Sequence, residues 1–173
     1  MALTDLIVEA EGWTAALPDL AEAAEEGARL ALAGTGLGPE GYEIAVLACD
    51  DARIAALNAE FRGKSAPTNV LSWPAHPLQP AYPGGSPMPP PSPGPLGDIA
   101  IALETCDREA QTQGLALKDH VIHLILHGSL HLLGYDHETE EDANLMEGIE
   151  RRQLVGAGYA DPYDGGKAGV TRD

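Results

Sequence analysis

Residues 127–137 read His127-Gly128-Ser129-Leu130-His131-Leu132-Leu133-Gly134-Tyr135-Asp136-His137. The first two histidines are four positions apart, so on a helix they lie one above the other on the same face. Gly134 is placed to end that helix in the left-handed conformation, which lets the chain turn back and bring His137 to the other two. Three imidazoles with one open position are typical of catalytic zinc sites, whereas structural sites are usually closed by four protein ligands. The stretch therefore predicts a metal centre formed by His127, His131 and His137.

Two more histidines precede this stretch, and they leave an alternative assignment open. His123 and His127 are also four residues apart, but only the pair of His127 and His131 is followed by a glycine turn and a further histidine. His120 lies about 10 Å from His127 along a helix axis, at 1.5 Å per residue, which is too far to share one ion. We interpret His120 and His123 as residues that pack beside the site or support its ligands.

The histidine spacing is also that of a large class of zinc proteases, H-E-x-x-H-x-x-G-x-x-H. In those enzymes the glutamate after the first histidine acts as the general base. Here that position is Gly128, which has no side chain to accept a proton. A zinc metalloprotease is therefore a disfavoured alternative.

Three segments together resemble the YbeY family of bacterial metal-dependent endoribonucleases. Residues 127–137 match its pattern H-G-x-L-H-L-x-G-Y-D-H, and residues 96–99, LGDI, match a strand entry of the family. Residues 57–73, LNAEFRGKSAPTNVLSW, resemble L-N-x-x-[YF]-R-x-K-[DS]-x-P-T-D-V-L-S-[FW]. Asn69 departs from this pattern, which usually has aspartate there, and the proline-rich stretch that follows is longer than usual.

The resemblance implies a single-strand-specific endoribonuclease that acts in rRNA 3′-end maturation and ribosome quality control. It implies one Zn²⁺ ion, with other divalent metals as alternatives, and rRNA, a ribosomal subunit or assembly factors as partners. Such an ion can activate water and neutralise charge that develops on a phosphate. A non-catalytic ribosome assembly factor with a structural metal remains a second alternative to the nuclease.

Three more residues are candidates for roles around the metal. Arg62 offers a planar fork that suits a phosphoryl oxygen, so we predict a catalytic and substrate-binding role for it, with a loop-bracing ion pair as the alternative. Lys64 is predicted to bind substrate beside it. Asp136 could orient a ligand imidazole as a carboxylate behind the metal, or cap the next helix; the capping role is favoured.

Composition and net charge limit the classes of protein to which this chain can belong. The 173 residues carry a net charge of −17, whereas nucleic-acid-binding proteins are usually basic. RNA binding therefore requires a locally positive cleft, and we expect no DNA partner. The N-terminus lacks the pattern of a signal peptide, no run is long enough to cross a membrane, and Cys49 and Cys106 are isolated thiols, so we expect a cytoplasmic protein.

The hydrophobic patterns predict an α+β fold in one domain over residues 1–160, followed by a flexible tail at 161–173. The resemblance adds a mixed four-stranded sheet packed with helices, and a metal-site helix like that of the zincins. A proline-rich insert at about 74–95 has no apolar period, and its central part, 82–93, is expected to be poorly ordered. Strands are predicted at 4–10, 43–49, 70–73 and 97–103, and helices at 19–33, 104–113, 117–133 and 138–155. Asp50 is predicted to cap a further helix that runs through Phe61.

Overall fold

A computed structural model of the protein describes residues 2–163. Every predicted strand and helix is present, and the short helix α1 occurs in addition. The elements are β1 (Thr4–Val8), α1 (Gly12–Ala16), α2 (Leu20–Gly34), β2 (Tyr42–Cys49), α3 (Asp51–Arg62), β3 (Val70–Pro74), β4 (Gly94–Ala102), α4 (Leu103–Gln113), α5 (Leu117–Leu132) and α6 (Glu140–Gly156).

The four strands form one mixed sheet in the order β1-β2-β4-β3. β1 and β4 both run parallel to β2. Parallel strands need long crossover connections, and helices lie in both of these connections. β3 and β4 are antiparallel, with Val70 opposite Ile101 and Ser72 opposite Ile99. The predicted α+β class with a mixed four-stranded sheet is confirmed.

The metal-motif helix α5 is the centre of the larger core. Every residue from His120 to Leu130 is buried, because α2 and α6 pack on the helix opposite the sheet. The alanine-rich face of α2 comes very close to α5: a Cβ atom added at Gly27 would lie 2.7 Å from the carbonyl oxygen of Ile122. His127 and His131 are therefore held by a helix that packs tightly against its neighbour.

The other face of the sheet is covered by α3 and α4. A smaller apolar cluster there includes Ile54, Leu71 and Ala100. Asp50 caps α3 as predicted, since its side chain accepts a hydrogen bond of 2.8 Å from the amide of Arg53. Both cysteines are buried free thiols.

The proline-rich connection is shorter than predicted and makes more contacts. β3 extends to Pro74 and β4 already begins at Gly94, which pairs with Tyr42 of β2. Within the connection Leu78 is buried, its carbonyl accepts from the amide of Met88, and the amide of Gly84 donates to Asp142 of α6 over 2.8 Å. These contacts connect the segment to α6 and to itself, and the poor order expected of 82–93 stays a prediction.

The boundary between domain and tail stays a prediction. Residues 164–173 of the predicted tail lie outside the described residues, whereas Tyr163 donates a hydrogen bond of 2.8 Å to Glu150 of α6. Among the helices that the structure describes, none combines the length and apolar character needed to cross a bilayer.

Candidate metal centre

The turn after α5 has the geometry that the glycine predicts. Gly134 has φ +96°, its amide donates to the carbonyl of His131, and the amide of Tyr135 donates to the carbonyl of Leu130. This pair of bonds is the Schellman motif, which requires a left-handed residue at the turn. The chain therefore reverses within three residues and returns His137 to the end of the helix.

The structure brings all three predicted ligands together. His127, His131 and His137 each offer one ring nitrogen, and these atoms lie within 4.8 Å of one another. Nε2 of His127 and Nε2 of His131 are 3.2 Å apart. Two ligands bound at ~2.0–2.1 Å to a tetrahedral ion stand about 3.3–3.4 Å apart, so the spacing fits a zinc-like ion.

A buried carboxylate on α6 fixes the orientation of His127. Glu150 is fully buried, and its Oε2 lies 3.1 Å from Nδ1 of His127. Its Oε1 contacts Nε2 of His123 and the hydroxyl of Tyr163. Burial opposes ionisation of Glu150, but the two histidines outweigh it and hold the pKa of this carboxyl well below its usual range. An ionised carboxylate can only accept, so Nδ1 of His127 carries the proton and Nε2 keeps its lone pair.

His131 is oriented by a backbone carbonyl. Its Nδ1 lies 3.0 Å from the oxygen of Tyr135, and a carbonyl can only accept, so the proton is again on Nδ1. In the neutral ring Nε2 of His131 therefore presents a lone pair, as does Nε2 of neutral His127. The two Nε2 atoms are 3.2 Å apart, so both lone pairs are placed to bind one cation.

Asp136 does not have the capping role that the sequence favours. The cap of α6 is Thr139, whose hydroxyl accepts from the amide of Asp142. The Asp136 carboxylate instead accepts from the amide of His137 over 2.8 Å, and it is 4.0 Å from Nδ1 of His131. Asp136 thus braces the turn that carries the third histidine.

His120 belongs to a second polar cluster, below the metal motif on α5. Its Nε2 lies 2.9 Å from Oε1 of Glu109 on α4, and Nδ2 of Asn69 donates to the same oxygen over 3.0 Å. Both His120 and Asn69 are fully buried. The cluster joins the start of β3 to α4 and α5, so His120 has the packing role that we expected.

Gly128 lies where α5 packs against the sheet. A Cβ atom there would be 3.1 Å from Oγ of Ser72 and 3.2 Å from Ile99, and the Ser72 hydroxyl donates to the Gly128 carbonyl over 3.3 Å. A side chain at this position would require Ser72 or Ile99 to shift by a few tenths of an ångström. The position is therefore tight for the glutamate that serves as base in the zinc proteases.

Arg62 and Lys64 lie on either side of Gly63, at the end of α3. Both side chains are exposed. Gly63 has a left-handed φ of +72°, and it turns the chain towards β3, which packs against α5. β3 runs alongside α5, an arrangement that a loop between α3 and β3 needs if it is to face the metal site. The approach of Arg62 and Lys64 to the metal stays a prediction.

Comparison with known proteins identifies the family. Residues 9–157 match the family described as Endoribonuclease YbeY. This chain belongs to the YbeY family. It is 57% identical to the endoribonuclease YbeY of Ruegeria pomeroyi, over 92% of this chain and 96% of the relative, and 48% identical to that of Jannaschia sp., over 92% and 98%.

A solved structure shows the same fold as this YbeY-family chain. The solution structure of TM1509 from Thermotoga maritima has a TM-score of 0.50 at 21% identity, and the match covers 89% of this chain and 91% of that one.

The departure from the YbeY pattern at Asn69 has a physical context. Its amide is a donor to Glu109, and an aspartate there would place two carboxylates about 3 Å apart, which disfavours ionisation of both.

Several residues around the YbeY-family site were missed by reasoning from the sequence. Glu150 could have been found, because it falls within the apolar stripe of α6 that carries Met146, Ile149 and Leu154. A carboxylate in such a stripe requires a buried partner. Tyr135 contacts His131 through its backbone carbonyl, and Tyr163 lies beyond the last helix. The pattern of side chains in the sequence therefore could not predict either contact.

Proposed function

We propose that this YbeY-family protein is a metal-dependent endoribonuclease that cleaves single-stranded RNA, in rRNA 3′-end maturation and ribosome quality control. The observation that carries the proposal is the convergence of three ring nitrogens: Nε2 of His127 and Nε2 of His131 are 3.2 Å apart, and a ring nitrogen of His137 lies within 4.8 Å of them. Imidazole ligands suit zinc among the common divalent ions, so we propose one Zn²⁺ ion held by these three residues. When bound, such an ion supplies an activated water and charge compensation at phosphate.

The remaining chemistry is assigned to side chains of the chain itself. Glu150 and the Tyr135 carbonyl keep the two helix histidines in one tautomer and one orientation, which raises their basicity as ligands. Arg62 is proposed to contact the phosphoryl oxygens, because a guanidinium can donate two parallel hydrogen bonds to them. Lys64 is proposed to bind a neighbouring phosphate as a point charge.

The proposed partners follow from the family and from the charge of the chain. Curated relatives are named endoribonucleases, and we propose rRNA within a ribosomal subunit or an assembly intermediate as the substrate, in the cytoplasm. A chain with a net charge of −17 repels free polyanions. A ribosomal particle with its basic proteins would supply contacts that isolated RNA lacks.

The test is a cleavage assay with the metal-loaded protein on single-stranded RNA, duplex RNA and casein. We expect cleavage of the single-stranded RNA alone. His131→Ala should lose both the metal and the activity, because it removes one of three ligands. His76→Ala, which changes a histidine outside the motif, is the matched control and should keep both.

Each alternative has its own outcome in this assay. Cleavage of casein would support the metalloprotease. Metal binding without cleavage of any substrate, including ribosomal particles, would support the assembly factor with a structural metal. Equal cleavage of RNA by the wild type and by His131→Ala would refute the assignment of the site.

A further inference from the structure

A pair of aromatic side chains, one exposed and one half-buried, lies beside Arg62 and Lys64. The ring centroids of Phe61, at the end of α3, and Trp73, on β3, are 5.7 Å apart with an interplanar angle of 75°. Phe61 is 58% exposed, although it is the single phenylalanine of a chain with only 5% aromatic residues. A lone exposed apolar side chain is ordinary, so the significance of Phe61 depends on its surroundings.

Two cations follow Phe61 in an otherwise acidic chain, and the exposed Glu60 precedes it. Arg62 follows it directly, and Lys64 lies two residues further, both exposed. The chain has ten Lys and Arg residues against 27 Asp and Glu.

The pair also lies on the strand that contacts the metal helix. Ser72 donates to the carbonyl of Gly128, next to the ligand His127, and Trp73 is the following residue. Successive side chains of a strand point to opposite faces, so Trp73 lies on the α3 side and Ser72 on the α5 side. β3 is the last strand of the sheet order, and a flexible polymer can therefore pass around its edge from one face to the other.

We propose that Phe61 and Trp73 form a stacking platform for unpaired bases of RNA, with Arg62 and Lys64 contacting the adjoining phosphates. This inference rests on the proposed function and deepens it, because it names the feature that selects single strands. Aromatic rings beside cations are the combination by which proteins bind single-stranded nucleic acid. In a duplex the faces of the bases are covered by their neighbours, so the platform gains nothing there. The edge-on contact with Trp73 holds the Phe61 ring in a fixed orientation, which lowers the entropy cost of stacking.

The test compares kinetics of the metal-loaded, full-length protein on single-stranded RNA. Phe61→Leu keeps an apolar side chain and removes the π face, so KM should rise roughly 5- to 100-fold, the effect of losing one stacked base, while kcat stays within about twofold. Phe61→Tyr should restore the wild-type KM. Val155→Ala changes a similarly exposed residue on α6 and should have no effect.

Two further readouts separate stacking from a purely structural role. An oligomer of abasic ribose phosphates used as a competitive inhibitor keeps the phosphates and lacks the bases, so its Ki should be the same for wild type and Phe61→Leu. Tryptophan fluorescence should be quenched by single-stranded RNA and unaffected by duplex, since Trp13 is fully buried and Trp73, the other of the two tryptophans, is half-buried beside the exposed Phe61 ring. An unchanged KM in Phe61→Leu, or an equal rise in the abasic Ki, overturns the platform.

The failure of the platform and the failure of the proposed function look different. If wild type cleaves RNA and Phe61→Leu behaves like it, only the platform is wrong. If wild type cleaves no RNA but its Trp73 fluorescence is quenched by single strands and not in Phe61→Leu, the platform stands and the nuclease assignment is wrong. If wild type neither cleaves nor binds RNA, both are wrong.

Discussion

At the scale of single residues, Glu150 determines how His127 faces the metal position. It accepts from His123, His127 and Tyr163, so one buried carboxylate links α5, α6 and the segment after α6. Removing one partner of such a buried network leaves others unsatisfied, and the effect is larger than that of a single hydrogen bond. The orientation of the ligand therefore depends on a residue that never touches the ion.

Glu150→Gln is expected to weaken metal binding by about 10- to 100-fold, the usual effect of changing the partner behind a histidine ligand. The amide cannot accept from both histidines as the carboxylate does. Chelator competition on the folded protein measures the affinity. Glu140→Gln, at an exposed carboxylate of the same helix, should leave it unchanged, and an unaltered affinity in Glu150→Gln would show that the ring of His127 is held by packing instead.

Arg62→Ala is expected to lower kcat for RNA cleavage on the order of 10²–10³, the cost of one electrostatic contact to the transition state. Metal content and melting temperature should stay near those of the wild type, because the side chain is exposed. Arg62→Lys should restore activity only in part, since an ammonium cannot make a bidentate contact. Loss of folding in Arg62→Ala, with normal activity in the folded fraction, would make the residue a structural brace.

Residues with a fixed spacing were predictable, and residues that act across the fold were not. His127, His131 and His137 could be identified because helix geometry and the glycine turn link spacing to position. The capping role predicted for Asp136 was wrong, because α6 begins at Glu140 and Thr139 is its N-cap. Glu109 and Glu150 contact α5 from other helices. The hydrophobic period of a single segment does not indicate which helices pack together, so these contacts could not be predicted.

At the scale of elements, the first strand is fastened to α2 by one carboxylate. Glu25 accepts from the amides of Leu3 and Thr4 and from the hydroxyl of Thr4, at 2.7–2.9 Å, and it pairs with Arg29. Burial opposes ionisation, but these hydrogen bonds outweigh it and hold the pKa of Glu25 below its ordinary 4.5. A lowered folded pKa means that the ionised carboxylate stabilises the native state.

Glu25→Gln should therefore lower the free energy of unfolding by about 1–2 kcal/mol at pH 7. The wild-type advantage is fully present above the unfolded pKa of 4.5, and it is lost as the pH falls through the lower folded pKa. Urea titrations at several pH values measure this difference. Glu22→Gln on the same helix serves as the control, and a difference that grows towards acid would contradict the assigned direction.

Replacing residues 82–91 by two glycines should leave the fold nearly intact. The change removes two hydrogen bonds, from Gly84 to Asp142 and from Met88 to Leu78, each worth about 1 kcal/mol, and keeps the buried Leu78 and the start of β4. The melting temperature should fall by a few degrees. A fall of more than about 10 °C would show that the prolines pack as part of the core.

Most elements were predictable from apolar periods and caps, with ends displaced by one to three residues. β4 begins earlier than expected because Gly94 and Pro95 pair with β2. This pairing depends on the register between the two strands, which the sequence of β4 alone does not indicate. α1 was missed because it is five residues long and has no full helical period. Its Trp13 is buried, with Nε1 donating to the carbonyl of Cys49, so tertiary contacts hold the helix.

At the scale of the whole molecule, the acidic surface limits how RNA binds. Beyond a Debye length of about 8 Å at physiological salt, a phosphate is screened from the net charge of −17. The proposed binding therefore depends on a few local contacts, chiefly those of Arg62 and Lys64. Composition indicates the sign of the net charge, but it does not show that Trp73 packs on Phe61 beside these two cations.

Affinity for single-stranded RNA should thus depend only weakly on salt. Two phosphate contacts predict a slope of log K against log salt of roughly −1.4, at about −0.7 for each contact. Lys64→Gln should make the slope shallower by about 0.7. A wild-type slope steeper than about −4, measured by fluorescence titration, would reveal a larger basic surface than the one described.

The position of β1 at the end of the sheet has a consequence for solubility. It pairs with β2 on one side, and no strand within residues 2–163 pairs with its other side, where backbone donors and acceptors form a template for a second copy. Ile7 and Val8 are exposed on this strand, between the carboxylates of Asp5 and Glu9. Mutual repulsion of acidic surfaces keeps such edges apart at neutral pH, and near the isoelectric point of about 4.5 that protection against strand-to-strand aggregation disappears.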